Sequence, residues 1–372
     1  MIKNLLRVLV VDDTVTYRKI VADVLAGCPD VEVIGTAANG KIALQRIEQQ
    51  APDLLILDLE MPEMNGQAVL EELRRRRSPT GAIMLSAFTA QGAKATLSAL
   101  EAGAFDFVLK PNGATIDANV DRLRHELQTK ISAFARQRSV RDILYGKNNG
   151  YGMSAEVARP VIPAVPASRS IAQPADSPLV VGIGISTGGP KALTEMLPQL
   201  PADLPVPVLI VQHMPPIFTK SLADDLNTRC KLAVREGIDG QPVMPGQIWI
   251  APGGRQMKVQ RENNQVVLRI TDDPPENSCR PAVDYLFRSV AEVYGGRSIG
   301  VIMTGMGSDG TLGCRRLKHC GASIIAQDEA TCVVFGMPRE PIEKGIVDVV
   351  APLGCIAAEI TRLTRTGANT CK

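Results

Sequence analysis

Leu179-Val-Val-Gly-Ile-Gly-Ile-Ser186-Thr-Gly-Gly-Pro190 decides how the second half of this chain is read. Apolar residues pass into small glycines, then a hydroxyl, then two more glycines and a proline. The pattern predicts a buried parallel strand that breaks into a tight turn and opens a helix at Lys191. Glycine lets backbone N–H groups come close to whatever sits above such a serine. Gly184-Ile-Ser186-Thr-Gly188 also fits G-x-S-x-G, a strand-to-helix elbow that presents a nucleophile. A serine nucleophile needs a base and an orienting acid from elsewhere in the chain.

Downstream, residues 206–211 read as another apolar strand, ending at Gln212-His213-Met-Pro-Pro. Residues 298–303 read as a third, ending in Thr304-Gly-Met-Gly-Ser-Asp309-Gly310. Helical period covers 220–229 and 281–294, and a hairpin is expected around Glu262-Asn-Asn from 256–260 and 266–270. Further strands near 248–250, 320–326 and 347–350 complete a doubly wound, mostly parallel α/β domain. Three strands thus end in Ser186, His213 and Asp309. His213 can take the serine proton and return one to the leaving group, while Asp309 fixes the imidazole and stabilises its charge. N–H groups around Gly188-Gly189 or in Gly305-Met-Gly are candidates for an oxyanion hole.

The chain has only three histidines. His125 falls on an exposed helix face, and His319 falls late in a helix where a cation suits the dipole; His213 alone follows a strand. The order Ser, His, Asp excludes an α/β-hydrolase, which places its acid before the histidine. Gly182-x-Gly184 does not make a dinucleotide site, because the third glycine is out of register and the next strand ends without a carboxylate.

In the first half, apolar strands at 7–11, 31–35, 54–57, 82–85 and 106–109 alternate with helical period at 15–26, 40–50, 67–76 and 90–102. Strict alternation predicts a doubly wound parallel sheet with helices on both faces. Ligands of such sheets sit at the carboxyl ends of the strands, which here carry Asp12, Asp13, Asp58, Ser86 and Lys110. Three carboxylates in one crevice call for a divalent cation, and oxygen-only ligands point to Mg²⁺. Lys110 and the Ser86 hydroxyl could then hold phosphoryl oxygens.

A helix pattern runs from 116 through Leu123, Leu127, Ile131 and Phe134 toward Arg138, and a Pro- and Ala-rich spacer follows. The expected organisation is an N-terminal domain over 1–125, helix extension and linker over 126–176, a catalytic domain over 177–365 and a disordered tail over 366–372. With 372 residues, 45% of them apolar and 22% charged, the chain is globular and multidomain. A net charge of +2 argues against nucleic acid as partner, and Arg74-Arg-Arg-Arg77 ends a helix where cations suit the dipole. The eight cysteines lack zinc-type spacing and read as reduced thiols of a cytoplasmic protein. The N-terminus reads as a first strand rather than a signal peptide, and no run is long enough to insert in a membrane.

Val10-Val-Asp-Asp13, Asp58-Leu-Glu-Met-Pro62, Ser86-Ala87 and Lys110-Pro111 resemble the signature of a response-regulator receiver domain. The resemblance implies a flavodoxin-like five-stranded fold and phosphorylation of Asp58 by a histidine kinase. It also implies Mg²⁺ held by Asp13, Asp58 and the Glu60 carbonyl, with Asp12 assisting. Thr14 and Asn65 stand where such domains often carry serine and aspartate.

The second half resembles the catalytic domain of the CheB family of chemotaxis protein-glutamate methylesterases. The match is carried by Ile185-Ser186-Thr-Gly-Gly, Gln212-His213-Met-Pro, Thr304-Gly-Met-Gly-Ser-Asp309-Gly and Ala326-Gln-Asp-Glu-Ala through Cys332-Val-Val-Phe-Gly-Met-Pro338. It implies hydrolysis of glutamyl methyl esters on the cytoplasmic helices of chemoreceptors, with release of methanol, and deamidation of receptor glutamines. It implies Ser186 as nucleophile, His213 as base and Asp309 as orienter, with no cofactor for the esterase step. The chain departs from the family pattern near Cys279 and at Ala282, positions expected to concern substrate contacts rather than the triad. A receiver tethered to a hydrolase suggests gating, in which the unphosphorylated receiver covers the Ser186 cleft. The alternative is a non-enzymatic regulator whose second half is a phosphorylation-gated binding module, discriminated by the absence of methanol release.

Overall fold

The computed structural model describes residues 5–111, 115–145 and 178–365. The spacer from 146 to 176 and the tail from 366 to 372 lie outside them. The first half contains β1 (Leu6–Val11), α1 (Val15–Ala26), β2 (Val31–Ala37), α2 (Gly40–Gln50), β3 (Leu54–Asp58), α3 (Gly66–Arg75), β4 (Gly81–Ser86), α4 (Ala90–Ala102), β5 (Asp106–Leu109) and α5 (Ile116–Tyr145). Its five strands run in the order β2-β1-β3-β4-β5, all parallel, which is the flavodoxin-like doubly wound arrangement. β3 is buried at every residue, as expected of a central strand covered on both faces. Asn39, Asn65 and Thr89 cap α2, α3 and α4 by accepting backbone N–H bonds. Asn65 thus serves as a helix cap, and Arg74 and Arg75 fall in the last turn of α3. α5 packs Leu123, Leu127, Ile131 and Phe134 into the apolar cluster beneath it.

The second half contains β6 (Val180–Ile185), α6 (Gly189–Met196), β7 (Val208–Gln212), α7 (Phe218–Arg229), β8 (Ala233–Glu236), β9 (Gln247–Ile250), β10 (Gln256–Glu262), β11 (Gln265–Thr271) and α8 (Val283–Tyr294). Then come β12 (Ser298–Ile302), α9 (Thr311–His319), β13 (Ser323–Gln327), α10 (Arg339–Glu343), β14 (Val349–Ala351) and α11 (Leu353–Arg365). Seven strands in the order β14-β13-β12-β6-β7-β9-β8 pair in parallel throughout. The antiparallel hairpin β10–β11 forms a separate two-stranded sheet. α10 and α11 have no counterpart in the expected elements, and β8 falls in the stretch between 229 and 248 where no separate strand is expected. β8 is a short edge strand with two of its four residues exposed, so it carries little apolar signal.

The two halves share a core. One buried apolar cluster runs from Leu97, Leu100 and Phe107 to Leu193, Phe218 and Leu226. Phe107 and Phe218 stack with ring centroids 4.8 Å apart and planes 9° from parallel. Among the described residues, no helix is long and apolar enough to cross a membrane.

Candidate active site

β12, β6 and β7 are neighbours in the sheet, so their carboxyl ends bring the Asp309 loop, Ser186 and His213 to one place. The backbone stitches these ends together. Ser186 N–H donates to Thr304 O at 3.0 Å, and His213 N–H donates to Ile185 O at 3.1 Å. The elbow after Ser186 requires glycine at 188, whose φ is +80° and whose missing Cβ would lie 2.5 Å from Val333. A side chain at Gly305 would in turn lie 2.8 Å from the Ser186 Cβ.

His213 Nε2 donates to Asp309 Oδ2 at 2.8 Å, and its other nitrogen, Nδ1, lies 3.7 Å from Cys279 Sγ. With Nε2 on the acid, Nδ1 faces the Cys279 thiol. Burial opposes an imidazolium, but the Asp309 hydrogen bond and the Cys279 contact outweigh it and push His213 up to about 9. Burial likewise opposes the Asp309 charge, yet His213, the Val283 N–H and Asn277 hold that carboxyl below the usual range. Ser186 is half-buried, and its hydroxyl makes no hydrogen bond among the described residues.

Of the oxyanion candidates, Gly189 N–H is already given to Ser186 O at 2.8 Å and Gly305 N–H to Val334 O at 3.0 Å. The N–H groups of Thr187, Gly188, Met306 and Gly307 carry no such bond among the described residues. His125 and His319 are exposed on α5 and α9.

Cys279 touches the imidazole itself, and Ala282 is 1% exposed at the start of α8. Asn277 and Asp284, beside them, both reach Asp309. No periodicity marks Asn277, which lies in a loop far from Asp309 in sequence.

At the other sheet edge, Lys110 Nζ lies 2.7 Å from Asp12 Oδ2 and 2.8 Å from Asp58 Oδ2, with the Tyr17 ring 4.8 Å away. Asp12, Asp13 and Asp58 offer carboxylate oxygens within 4.8 Å of one another. Burial, against the pull of Lys110, raises Asp58 to about 6. A cavity of about 650 Å³ opens over Asp13, Asp58, Glu60, Asn65 and Lys110. Ser86 is not in its wall: Thr96 Oγ1 donates to the Ser86 hydroxyl at 2.7 Å, tying it to α4.

The first domain reaches the elbow directly. Asp106 Oδ2 accepts from Thr187 Oγ1 at 2.8 Å, one residue past Ser186, and from Lys130 Nζ at 2.8 Å. Arg229 on α7 pairs with Glu101 on α4 at 2.9 Å.

Residues 8–120 match the family model of the response regulator receiver domain, and residues 181–360 match that of the CheB methylesterase. A protein-glutamate methylesterase/protein-glutamine glutaminase of Desulfotalea psychrophila is 48% identical over 98% of this chain and 99% of its own length. A protein of the same name from Trichodesmium erythraeum is 40% identical over 96% and 98%. The crystal structure of the Thermotoga maritima CheB methylesterase catalytic domain is 44% identical, covering 50% of this chain and 99% of that one, with a TM-score of 0.49. The chain therefore belongs to the protein-glutamate methylesterase/protein-glutamine glutaminase family, a response regulator receiver joined to a CheB methylesterase domain.

Proposed function

We propose that this protein hydrolyses glutamyl methyl esters on chemoreceptor cytoplasmic helices, deamidates receptor glutamines, and is switched on when a histidine kinase phosphorylates Asp58. The observation that carries the reading is a serine elbow whose neighbouring strand ends hold an imidazole and a carboxylate 2.8 Å apart, with a receiver packed on the elbow. Ser186 Oγ attacks the ester carbonyl as Nδ1 of His213 takes its proton. The oxyanion that forms is met by N–H groups of the Thr187–Gly188 or Met306–Gly307 turns. His213 then gives its proton to the ester methoxy oxygen as its C–O bond breaks, releasing methanol, or to the glutamine amide nitrogen as its C–N bond breaks, releasing ammonia. Water attacks the acyl-serine by the same route in reverse, and Asp309 holds the ring throughout.

At the receiver, a divalent ion suits three carboxylates opposed by a single lysine. Asp13, Asp58 and the Glu60 carbonyl would hold Mg²⁺ with Asp12 assisting, and the ion would neutralise charge during phosphoryl transfer. Lys110 and Ser86 then take the phosphoryl oxygens. Ser86 turning toward the phosphoryl group would disturb its bond with Thr96 on α4, the helix that packs on α6 and α7.

The test is methanol release from methylated receptor membranes, with and without a small-molecule phosphodonor. The phosphodonor should accelerate the wild-type protein, Ser186→Ala should release none while still being phosphorylated at Asp58, and Asp58→Asn should not respond. Release by Ser186→Ala at the wild-type rate would refute the nucleophile.

A further inference from the structure

We propose that Asn277 and Asp284 are positioning residues of the catalytic centre: the Asn277 carboxamide clamps Asp309 onto His213, and Asp284 anchors that clamp to the starts of α8 and α9. The proposal rests on the reading of Asp309 as the acid that orients His213.

Asn277 Nδ2 donates to Asp309 Oδ1 at 2.9 Å and to Asp284 Oδ2 at 3.0 Å. One amide group has two hydrogens, so each carboxylate receives one. Asp309 also accepts from Val283 N–H at 2.6 Å and Asp284 N–H at 3.1 Å, and Asp284 Oδ1 accepts from Gly313 N–H at 2.6 Å. Every one of these contacts is a donor. Such a set of donors is what a carboxylate accepts. The exposures are only 5% for Asp284 and 3% for Asp309. Burial raises Asp284, Gly313 N–H opposes it, the Asp309 charge adds to it, and Asn277 pulls it back. Two buried like charges side by side are unfavourable, and the shared amide is the group that bridges them.

The turn carrying Asn277 is built to reach both ends of the pair. Asn277 and Ser278 adopt φ of +51° and +62°, a left-handed conformation that asparagine tolerates better than most residues. Glu276 and Cys279 close the turn with reciprocal backbone bonds of 3.1 and 2.8 Å. Asn277 therefore meets the carboxylate while Cys279, two residues on, meets the far side of the imidazole. Other charges nearby are Glu276, paired with Arg288 of α8, and Arg316 of α9. Asn277 itself is exposed beside a shallow cavity of about 330 Å³, so it can be replaced without disturbing a core.

The experiment uses the full-length protein with methylated receptor membranes and a phosphodonor, from pH 6 to 10. In parallel, the ring of His213 is titrated by NMR; with three histidines, His213→Gln assigns its signal. Asn277→Gly, which tolerates the left-handed backbone, should lower kcat roughly tenfold through misplacement of the base, with KM within about twofold. Asp284→Asn removes a negative charge near the imidazolium. It should move the His213 titration and the acid limb of kcat downward together, by about half a unit or more. Ser278→Ala, on the same strained turn but without a bond to either acid, should behave as wild type. Wild-type kcat in Asn277→Gly, or slow turnover in Asp284→Asn with an unmoved His213 titration, overturns the proposal. Asp309→Ala at the wild-type rate overturns the triad reading and the clamp with it. An inactive Asp309→Ala beside an unaffected Asn277→Gly overturns the clamp alone.

Discussion

His213 turns Nε2 toward Asp309 and Nδ1 toward the Cys279 thiol. A base must be unprotonated, whereas this imidazole stands near 9 in the folded protein. The neutral form grows as pH rises toward that value, so ester hydrolysis by the unphosphorylated protein should climb between pH 7 and 9. A rate that is flat over this interval would contradict it. The same shift bears on stability with the opposite trend. Its contribution is complete below the ordinary histidine value of 6.5 and is lost as pH rises through about 9. Thermal unfolding of wild type against His213→Gln should therefore show a gap that narrows from pH 6 to pH 10. At the receiver the direction reverses: Asp58 is raised to about 6, so its nucleophilic anion is depleted in acid. Phosphorylation should fall as pH drops through 6, measured as phosphodonor consumption.

The elbow between β6 and α6 is the element on which the site depends. Gly188→Ala places a side chain at φ +80° and into Val333, 2.5 Å away. The left-handed conformation alone costs about 1–2 kcal/mol for a residue with a Cβ. A drop of several degrees in melting temperature should result, and an unchanged melting temperature would show that the turn can relax. This elbow was legible in the sequence because strand, glycines and helix start are contiguous. The receiver acids were legible for a related reason, since β1 is apolar from Val8 and β3 from Leu54 until they stop at Asp12 and Asp58. Chain order also put Ser186, His213 and Asp309 on three strands, although only the sheet order made those strands neighbours. Asn277 and Cys279 were not legible as triad neighbours, because a left-handed turn has no periodicity and its reach depends on where α8 begins. β8 and α11 escaped notice because an edge strand and a closing helix lack the apolar strand endings that marked the rest.

Over the whole molecule, the receiver lies on the catalytic domain through the shared core, the Phe107–Phe218 stack and the Asp106–Thr187 hydrogen bond. A stacked aromatic pair contributes about 1 kcal/mol beyond its buried area, roughly fivefold in an equilibrium. Phe107→Ala should raise methanol release by the unphosphorylated protein by about that factor and leave the phosphorylated rate near wild type. Residues 178–365 alone should exceed the unphosphorylated full-length protein, within the roughly 5–150-fold span typical of inter-site coupling. A fragment no faster than the resting protein would remove the inhibitory role of the packing.

The Asp106–Thr187 bond also bears on inheritance and engineering. Two consecutive residues of β5, Asp106 and Phe107, make contacts fitted to Thr187 and Phe218. A receiver borrowed from another regulator, with other residues at those two positions, would keep its phosphorylation chemistry but not that fit. Such a chimaera should show a raised resting rate of methanol release, and transplanting that pair of side chains should lower it again.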